Sequence, residues 1–245
     1  MSMRMKYLTL TAALLLAVVS CHGLSLSPRE EILLCEDFDR YPDGPKLPLG
    51  WWYEGSKMVR IEERHLRADA NPDHSGEDYE ACTVWLNRTF SGNIRVEFDA
   101  HVIASEGDKN NVNFFLLFSD PSGKSLYETK ETRADGKYGK YHELNGYVFT
   151  FLANGNPQKA RFRMRDDPGF HLLEENYAYE CKRAKTYHVN ITKNGDRITY
   201  EVDGTVYLDQ VDNKANPEHK AGIIGFRTWR TDLWWDNLRV TKLKD

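Results

Sequence analysis

From Tyr187 onward the apolar residues fall on every second position. Tyr187, Val189 and Ile191 alternate with His188, Asn190 and Thr192, and Ile198, Tyr200 and Val202 alternate with Thr199 and Glu201. A period of two places one set of side chains on a buried face of a strand. Asn194-Gly195 between the two runs predicts a hairpin closed by a tight type I′ turn, which requires two positive φ values. Asp203-Gly204 predicts a second turn into Thr205 to Leu208, and the pattern resumes at Gly222 to Phe226 and at Trp234 to Val240. Five short strands in succession, with no helical period between them, predict an all-β protein packed as an antiparallel sandwich or barrel.

Upstream, Val59 to Ala68 reads as a hairpin turning near Glu62-Glu63. Thr83 to Leu86, Ile94 to Val102, Asn113 to Phe118, Tyr147 to Leu152 and Lys159 to Arg165 read as strands set apart by Gly, Asn, Pro and Asp. Pro42, Gly44, Pro45, Pro48 and Gly50 predict an irregular lead-in to Trp51-Trp52. Ser119 to Gly146 is long, charged and without apolar periodicity; loops of that length in a compact domain are usually functional or disordered, which makes it a candidate wall of a binding site. Neither an internal repeat nor a dividing linker interrupts the pattern, so residues 35–245 are expected to form one domain.

Composition supports a well-filled core: 40% of residues are hydrophobic, among them eleven Phe, thirteen Tyr and six Trp. The first twenty residues are different. Arg4 and Lys6 precede an apolar run, Leu8 to Val19, too short for a permanent membrane span, so residues 1–20 are expected to be a signal peptide and the protein to be exported. Val18-Val19-Ser20-Cys21 resembles the bacterial lipobox, which makes Cys21 the expected lipidation site and the membrane a partner only through that anchor; Cys21-His22-Gly23 also suits an ordinary signal peptidase, and then the product is secreted. Residues 21–34 read as a tether. Removing Arg4 and Lys6 takes the net charge from −4 to about −6, which argues against a nucleic-acid partner. Cys35, Cys82 and Cys181 follow Cys21 and leave the pairing open among them; no Cys-x-x-Cys spacing occurs, so no metal is expected, and the sequence names no cofactor.

Four groups of residues could carry chemistry. In Ile94 to Val102 the residues Arg95, Glu97, Asp99 and His101 share a face, and neighbours on it stand about 7 Å apart. Glu97 and Asp99 thereby become candidates for the paired carboxylates of glycoside hydrolysis, against the plainer reading of a solvated ion-pair face. In Lys159 to Arg165, Arg161, Arg163 and Arg165 share a face opposite Ala160, Phe162 and Met164. Three guanidiniums in a row need acids, either internal ones such as Glu97 and Asp99 or the carboxylates and sulfates of an acidic polysaccharide. The matched alternation predicts that both strands lie in one sheet with their charged faces to the same side. Tyr141 and His142 at the end of the long loop, and His171 beyond Pro168-Gly169-Phe170, are candidate bases for β-elimination at a uronate. Trp229, within Arg227 to Asp232, is the candidate stacking surface for a sugar, with Arg227 beside it. Asp236 falls in the apolar register of its strand and reads as structural, hydrogen-bonded or at a bulge.

Gly225-Phe-Arg-Thr-Trp-Arg-Thr-Asp-Leu-Trp-Trp-Asp-Asn-Leu-Arg-Val240, Asp167-Pro-Gly-Phe-His-Leu-Leu-Glu174 and Cys35-Glu-Asp-Phe38 together resemble the YesU-like domain family, a group of unknown function in the concanavalin A-like lectin/glucanase superfamily. The resemblance covers essentially the whole mature chain. It implies a two-sheet antiparallel jelly roll and a setting of extracellular polysaccharide use, and it assigns no catalytic residue. The Glu-x-Asp-x-x-Glu strand motif of that superfamily's retaining glucanases is not kept, because Glu97-Phe-Asp99-Ala-His101 ends in histidine. The expected protein is thus a carbohydrate-active jelly roll for an acidic polysaccharide or oligosaccharide, acting as lyase or hydrolase; a non-catalytic binding module and a structural or adhesion domain are the alternatives.

Overall fold

The computed structural model describes residues 30–75, 80–154, 156, 158, 161–212 and 215–244. The signal segment, Cys21, and residues 22–29 of the expected tether lie outside them. Numbered in chain order, one sheet runs β13 (Thr205–Val211), β12 (Arg197–Val202), β11 (Lys185–Asn194), β6 (Ile94–Ser105), β15 (Thr231–Leu243), β4 (His65–Asp69) and β3 (Val59–Glu62), with β1 (Glu30–Glu36) also paired to β15. The other runs β10 (His171–Asn176), β9 (Arg161–Asp167), β8 (Asn145–Leu152), β7 (Asn111–Ser119), β14 (Ala221–Trp229), β5 (Ala81–Ser91) and β2 (Trp51–Gly55). Every pairing is antiparallel, and the expected two-sheet sandwich is the fold. β15 is its longest strand: β6 lies along one side, and β4 and β1 divide the other. Among the described residues no helix is long and apolar enough to cross a membrane.

Inward-facing residues of the two sheets form the core. Phe98 of β6 meets Phe114 of β7 at 5.1 Å and Phe226 of β14 at 5.0 Å between ring centroids, and Phe226 stacks on Trp235 of β15 at 4.9 Å. Offset and edge-on aromatic pairs of this kind add to the burial of their large apolar area. On one flank the edge strands of the two sheets meet. Asn176 Nδ2 of β10 donates to the Tyr207 carbonyl of β13 at 2.9 Å, and the Asp209 amide of β13 donates to Glu174 Oε2 at 2.8 Å.

Local details depart from the sequence pattern in instructive ways. The β11–β12 turn has Gly195-Asp196 at its tip, because Asn194 pairs with Arg197, and of the two only Gly195 has positive φ. That is the requirement of a II′ turn instead of I′. Asp203-Gly204 does meet the I′ requirement, with φ of 52° and 77°. The β3–β4 turn places Glu63 and Arg64 at positive φ without any glycine. β1 begins at Glu30, inside the stretch read as tether, since pairing with β15 continues the ladder beyond the Cys35 motif. Asp236 stands at a register shift of β15, followed by Asn237 at φ 52°, the bulge its odd polarity indicated. Cys82 and Cys181 are both free and buried, so neither joins the other or Cys35.

One expectation fails outright. β6 and β9 belong to different sheets, and since the apolar residues of both point into the shared core, their charged faces look out from opposite surfaces. Alternation reveals which residues share a face of a strand; it holds no information about which strand lies beside which.

The long loop is ordered against the outer face of the seven-stranded sheet. Leu126, Tyr141 and Leu144 of the loop bury Trp52, Trp85, Phe115, Phe118, Val148 and Ile223 in a second apolar cluster. In register across that face run Arg165, Val148, Phe115, Gly225, Trp85 and Trp52. Gly225 leaves the space that the Trp85 indole fills: a Cβ there would lie 2.4 Å from Trp85 Cε3. Gly225→Ala should therefore destabilise the fold by about 1–3 kcal/mol through overpacking. An unchanged urea midpoint would show that the indole shifts freely and that this cluster is loosely packed.

Candidate functional site

The loop is anchored by a buried carboxylate. Glu54 of edge strand β2 accepts hydrogen bonds from Trp85 Nε1 (3.0 Å), the Tyr141 hydroxyl (2.8 Å) and Arg133 Nε (3.1 Å), and it pairs with Arg133 Nη2 at 3.0 Å. Arg133, itself buried, also donates to the Leu126 carbonyl at 2.7 Å and to Thr129 Oγ1 at 3.1 Å. Burial pushes Glu54 above the ordinary carboxylate range, against the opposing pull of Arg133, Trp85 and Tyr141. Such a group is retained only when each of its oxygens is matched.

Beyond the loop the same face is polar. One step along the strands from the apolar row, Arg163, Thr150, Asn113, Arg227, Thr83 and Glu54 stand in register across six strands. The next step brings Arg161, Leu152 and Asn111 into line, with Trp229 two residues beyond Arg227 on β14. Arg163, Thr150, Asn113 and Arg227 of the first row, Leu152, Asn111 and Trp229 of the second, and Tyr138 of the loop line a pocket of about 270 Å³. Asn111 and Asn113 are 5% and 4% exposed, and the Oδ1 atom of each is buried without a hydrogen-bond partner. Arg227 is 2% exposed; it donates to Thr83 Oγ1 (2.7 Å) and the Gly136 carbonyl (3.0 Å), and its guanidinium carbon lies 4.7 Å and 4.8 Å from the Tyr138 and Tyr141 ring centroids. Among the described residues no carboxylate pairs with it, since Glu54 is taken by Arg133. Buried charges are ordinarily paired, and buried acceptors ordinarily bonded. This pocket breaks both rules in one place.

The sequence-nominated residues fall into three settings. Glu97 and Asp99 are on the far surface, the outer face of the eight-stranded sheet. Against desolvation, hydrogen bonds from Arg239 and the charge of Arg95 hold Glu97 below its ordinary value, and hydrogen bonds from His188 and Asn237 do the same for Asp99. Arg95 Nε and Arg239 Nε both reach Glu97 Oε2 at 3.0 Å, so this face is the ion-pair ladder of the plainer reading. Arg161 and Arg163 find their acid on neighbouring β10, where Glu175 Oε2 lies 3.3 and 3.1 Å away, and not in Glu97 or Asp99. Arg163 still lines the pocket, as do Arg227 and Trp229. Trp229 is half-buried, with the Lys109 ammonium 5.8 Å and the Arg230 guanidinium carbon 5.4 Å from its ring centre.

Of the nominated bases, Tyr141 is fully buried, and its hydroxyl serves Glu54; burial first, and then the charge of Glu54, push its pKa upward. His171 is exposed at the start of β10. His142 is half-buried and stacks on Phe170 at 3.7 Å, while Arg165 lies 4.0 Å from the same Phe170 ring and donates to the Phe170 carbonyl at 2.7 Å. Desolvation, then the charges of Arg227 and Arg165, lower His142 to about 4, so the imidazole is neutral at physiological pH. Its Nε2 is buried without a partner. Nearby Asp167 accepts the Phe170 amide at 2.7 Å through Oδ1, and its Oδ2 is unpartnered. Burial above all raises Asp167 to about 7.

Asp69, His74 and Asp232 on the other sheet bring three potential metal-ligand atoms within 4.8 Å of one another. Arg67 engages both oxygens of Asp232, at 2.9 and 2.6 Å, and Asp69 accepts from the Asn71 amide and approaches His74 Nδ1 at 2.9 Å. Asp232 in this group is already engaged by the Arg67 guanidinium.

Sequence reading overlooked Asn111, Asn113, Thr150 and the Glu54–Arg133 pair. A signal existed in Asn111-Val112-Asn113-Phe114, where two amides hold alternate positions at the head of an otherwise apolar strand. Nothing local marks Glu54 or Arg133, which are 79 residues apart.

A two-sheet antiparallel sandwich with a polar pocket on the outer face of one sheet is a jelly roll of the galectin-like and concanavalin A-like class. In shape the chain is similar to a protein of unknown function with a galectin-like fold from Bacillus subtilis, with TM-score 0.68 at 18% identity over 88% of this chain and 100% of that one. It is also similar to SCLam, a non-specific endo-beta-1,3(4)-glucanase from family GH16 (TM-score 0.57, 12% identity, 90% and 94% covered), and to the carbohydrate binding module CBM66 from Bacillus subtilis (0.50, 16%, 77% and 93%). At these identities the likeness is one of fold. Among curated proteins none matches the sequence. The chain belongs to the DUF6250 family, a domain of unknown function, whose profile matches residues 77–238.

The raised Asp167 fixes a sign for stability. A carboxyl whose folded-state pKa lies above its unfolded value contributes stability that is complete below the ordinary carboxylate range and is lost as pH rises through about 7. Relative to Asp167→Asn, the wild type should lose about 2–4 kcal/mol between pH 4 and pH 8, read as diverging denaturant midpoints. Parallel curves would place Asp167 in contact with water or a cation.

Proposed function

We propose that this protein is an exported carbohydrate-binding jelly roll and that the pocket under Tyr138 takes a sugar bearing a carboxylate or sulfate. The observation that carries the reading is the coincidence of two unpartnered buried Asn acceptors with a buried guanidinium lacking a carboxylate partner. Sugar hydroxyls supply the donors that Asn111 and Asn113 lack, and an acidic substituent supplies the missing charge for Arg227, with Arg163 on the opposite side of the pocket. Trp229 at the edge offers an apolar face to a pyranose ring. Similarity of fold to a carbohydrate-binding module and a glucanase is consistent with this, and the pocket itself speaks against a purely structural or adhesive domain.

Between binder and enzyme the pocket favours the binder. A lyase or hydrolase needs an acid or base within reach of the sugar. Among the described residues lining the pocket the only titratable group besides the guanidiniums is Tyr138, which burial raises to about 12 and thus keeps protonated at neutral pH. Calorimetric titration with uronate-containing and sulfated saccharides tests the reading. Asn113→Ala and Arg163→Ala should each weaken binding by about 1–3 kcal/mol, the worth of a hydrogen bond to a charged or otherwise unsatisfied group, with binding also falling as salt rises. Glu97→Ala, on the opposite surface, should leave affinity unchanged. Equal losses in all three variants would remove the pocket from consideration, and release of unsaturated products or reducing ends would restore the enzyme.

Export and lipid attachment at Cys21 belong to the same proposal, resting on Arg4, Lys6 and the Val18 to Cys21 pattern. Mass spectrometry of membrane-extracted protein should find residues 1–20 gone and a diacylglycerol-modified Cys21. An unmodified start beyond Cys21 would keep export and reject the anchor.

A further inference from the structure

The pocket's size and position bear on which part of a polysaccharide it receives. We infer that it takes a single residue at the end of an acidic chain and does not grip an interior stretch, an inference that rests on the saccharide reading of the same pocket. At about 270 Å³ the cavity falls below the range of about 300–1,000 Å³ typical of sites for drug-sized ligands, which leaves room for one sugar ring and not for two.

Its walls lead to the same conclusion. Along the strands the pocket is stopped at one end by the loop, where the Tyr138 ring lies 4.7 Å from the Arg227 guanidinium carbon. At the opposite end lies the rim of the sheet: β7 begins at Asn111, β8 ends at Leu152, β9 begins at Arg161 and β14 ends at Trp229. Across the strands, Arg163 is held on one side by Glu175, and on the other Arg227 is tied to Thr83 and Gly136. Chemistry is graded along this path. The deeper row carries Asn113 and the buried charge of Arg227, whereas the rim row carries the neutral Asn111, also buried, and the half-buried Trp229. A terminal uronate placed with its carboxylate toward Arg227 has its glycosidic bond at the rim, where the second sugar of the chain meets the Trp229 indole. An interior residue requires two exits, and the loop stands across one of them.

The test uses the mature protein with D-glucuronate, D-galacturonate and size-defined oligomers of each from dimer to hexamer. Calorimetry should give one protein per chain at every length, and affinities per chain that agree within about threefold from dimer to hexamer, because only the first two residues touch the site. Free monosaccharide should compete with the hexamer, and Asn113→Ala should weaken monomer and hexamer by the same factor. A hexamer that binds about tenfold or more tightly than the dimer, or that loads several proteins, overturns the chain-end inference while leaving the acidic-saccharide reading intact. If no uronate binds at any length and no sulfated saccharide binds either, the acidic-saccharide reading falls and the inference with it, an outcome that length-dependent binding cannot mimic.

Discussion

The burial of one carboxylate decides the shape of the outer face of the seven-stranded sheet. Glu54 sits on an edge strand, where its charge is tolerated only because an arginine, an indole and a phenol converge on it. Two of those three partners, Arg133 and Tyr141, come from the loop, so satisfying Glu54 and laying the loop on the sheet are one event. Once the loop is down, it covers the apolar row from Val148 to Trp52 and stops at Tyr138. What remains open is the polar remainder of the sheet, and the pocket is that remainder.

Charge sorting separates the two outer surfaces in kind. On the eight-stranded sheet, carboxylates and guanidiniums neutralise one another at contact distance, as with the buried Glu97 between Arg95 and Arg239. On the seven-stranded sheet the balance is incomplete: Arg227 and Arg165 lack carboxylate partners among the described residues, and their joint field helps to keep His142 neutral. A surface left electrically unfinished, in a domain that completes its ladders elsewhere, is the feature on which the proposed site rests.

Much of the fold was legible because strand alternation is a local property. The runs at Tyr187 to Val202 and Ile94 to Val102 identified their inward residues correctly, and of the two readings of Asp236, a hydrogen-bonded acceptor or a bulge, the structure has the bulge. The candidate site was less legible, since it is assembled by neighbour relations that no local period encodes. Arg163, Thr150, Asn113 and Arg227 come into line only because β9, β8, β7 and β14 are adjacent; β7, β8 and β9 follow one another in the chain, but a long loop parts β7 from β8 and β14 arrives from much later. For the same reason Arg163 and Glu97 looked like partners when the core lies between them. Trp229 and Arg227 were found because the segment carrying them, the end of β14, is dense in Arg and Trp; Asn111 and Asn113 were missed because asparagine at the head of a strand ordinarily signals a turn. Strand β10 escaped notice because Pro168-Gly169 before it reads as loop and its face is acidic.

The flank where the two sheets meet carries a consequence for how many copies can share a crowded space. Edge strands invite pairing by another chain, since their outward amides and carbonyls form an open template. Here Glu174 accepts from the Asp209 amide and Asn176 donates to the Tyr207 carbonyl, so side chains of one sheet's edge occupy main-chain groups of the other's. A strand from a second molecule would have to break those bonds before it could add to this flank. The seam that closes the sandwich therefore also acts as a guard against self-association, built from an acid and an amide and requiring no extra strand to cover it.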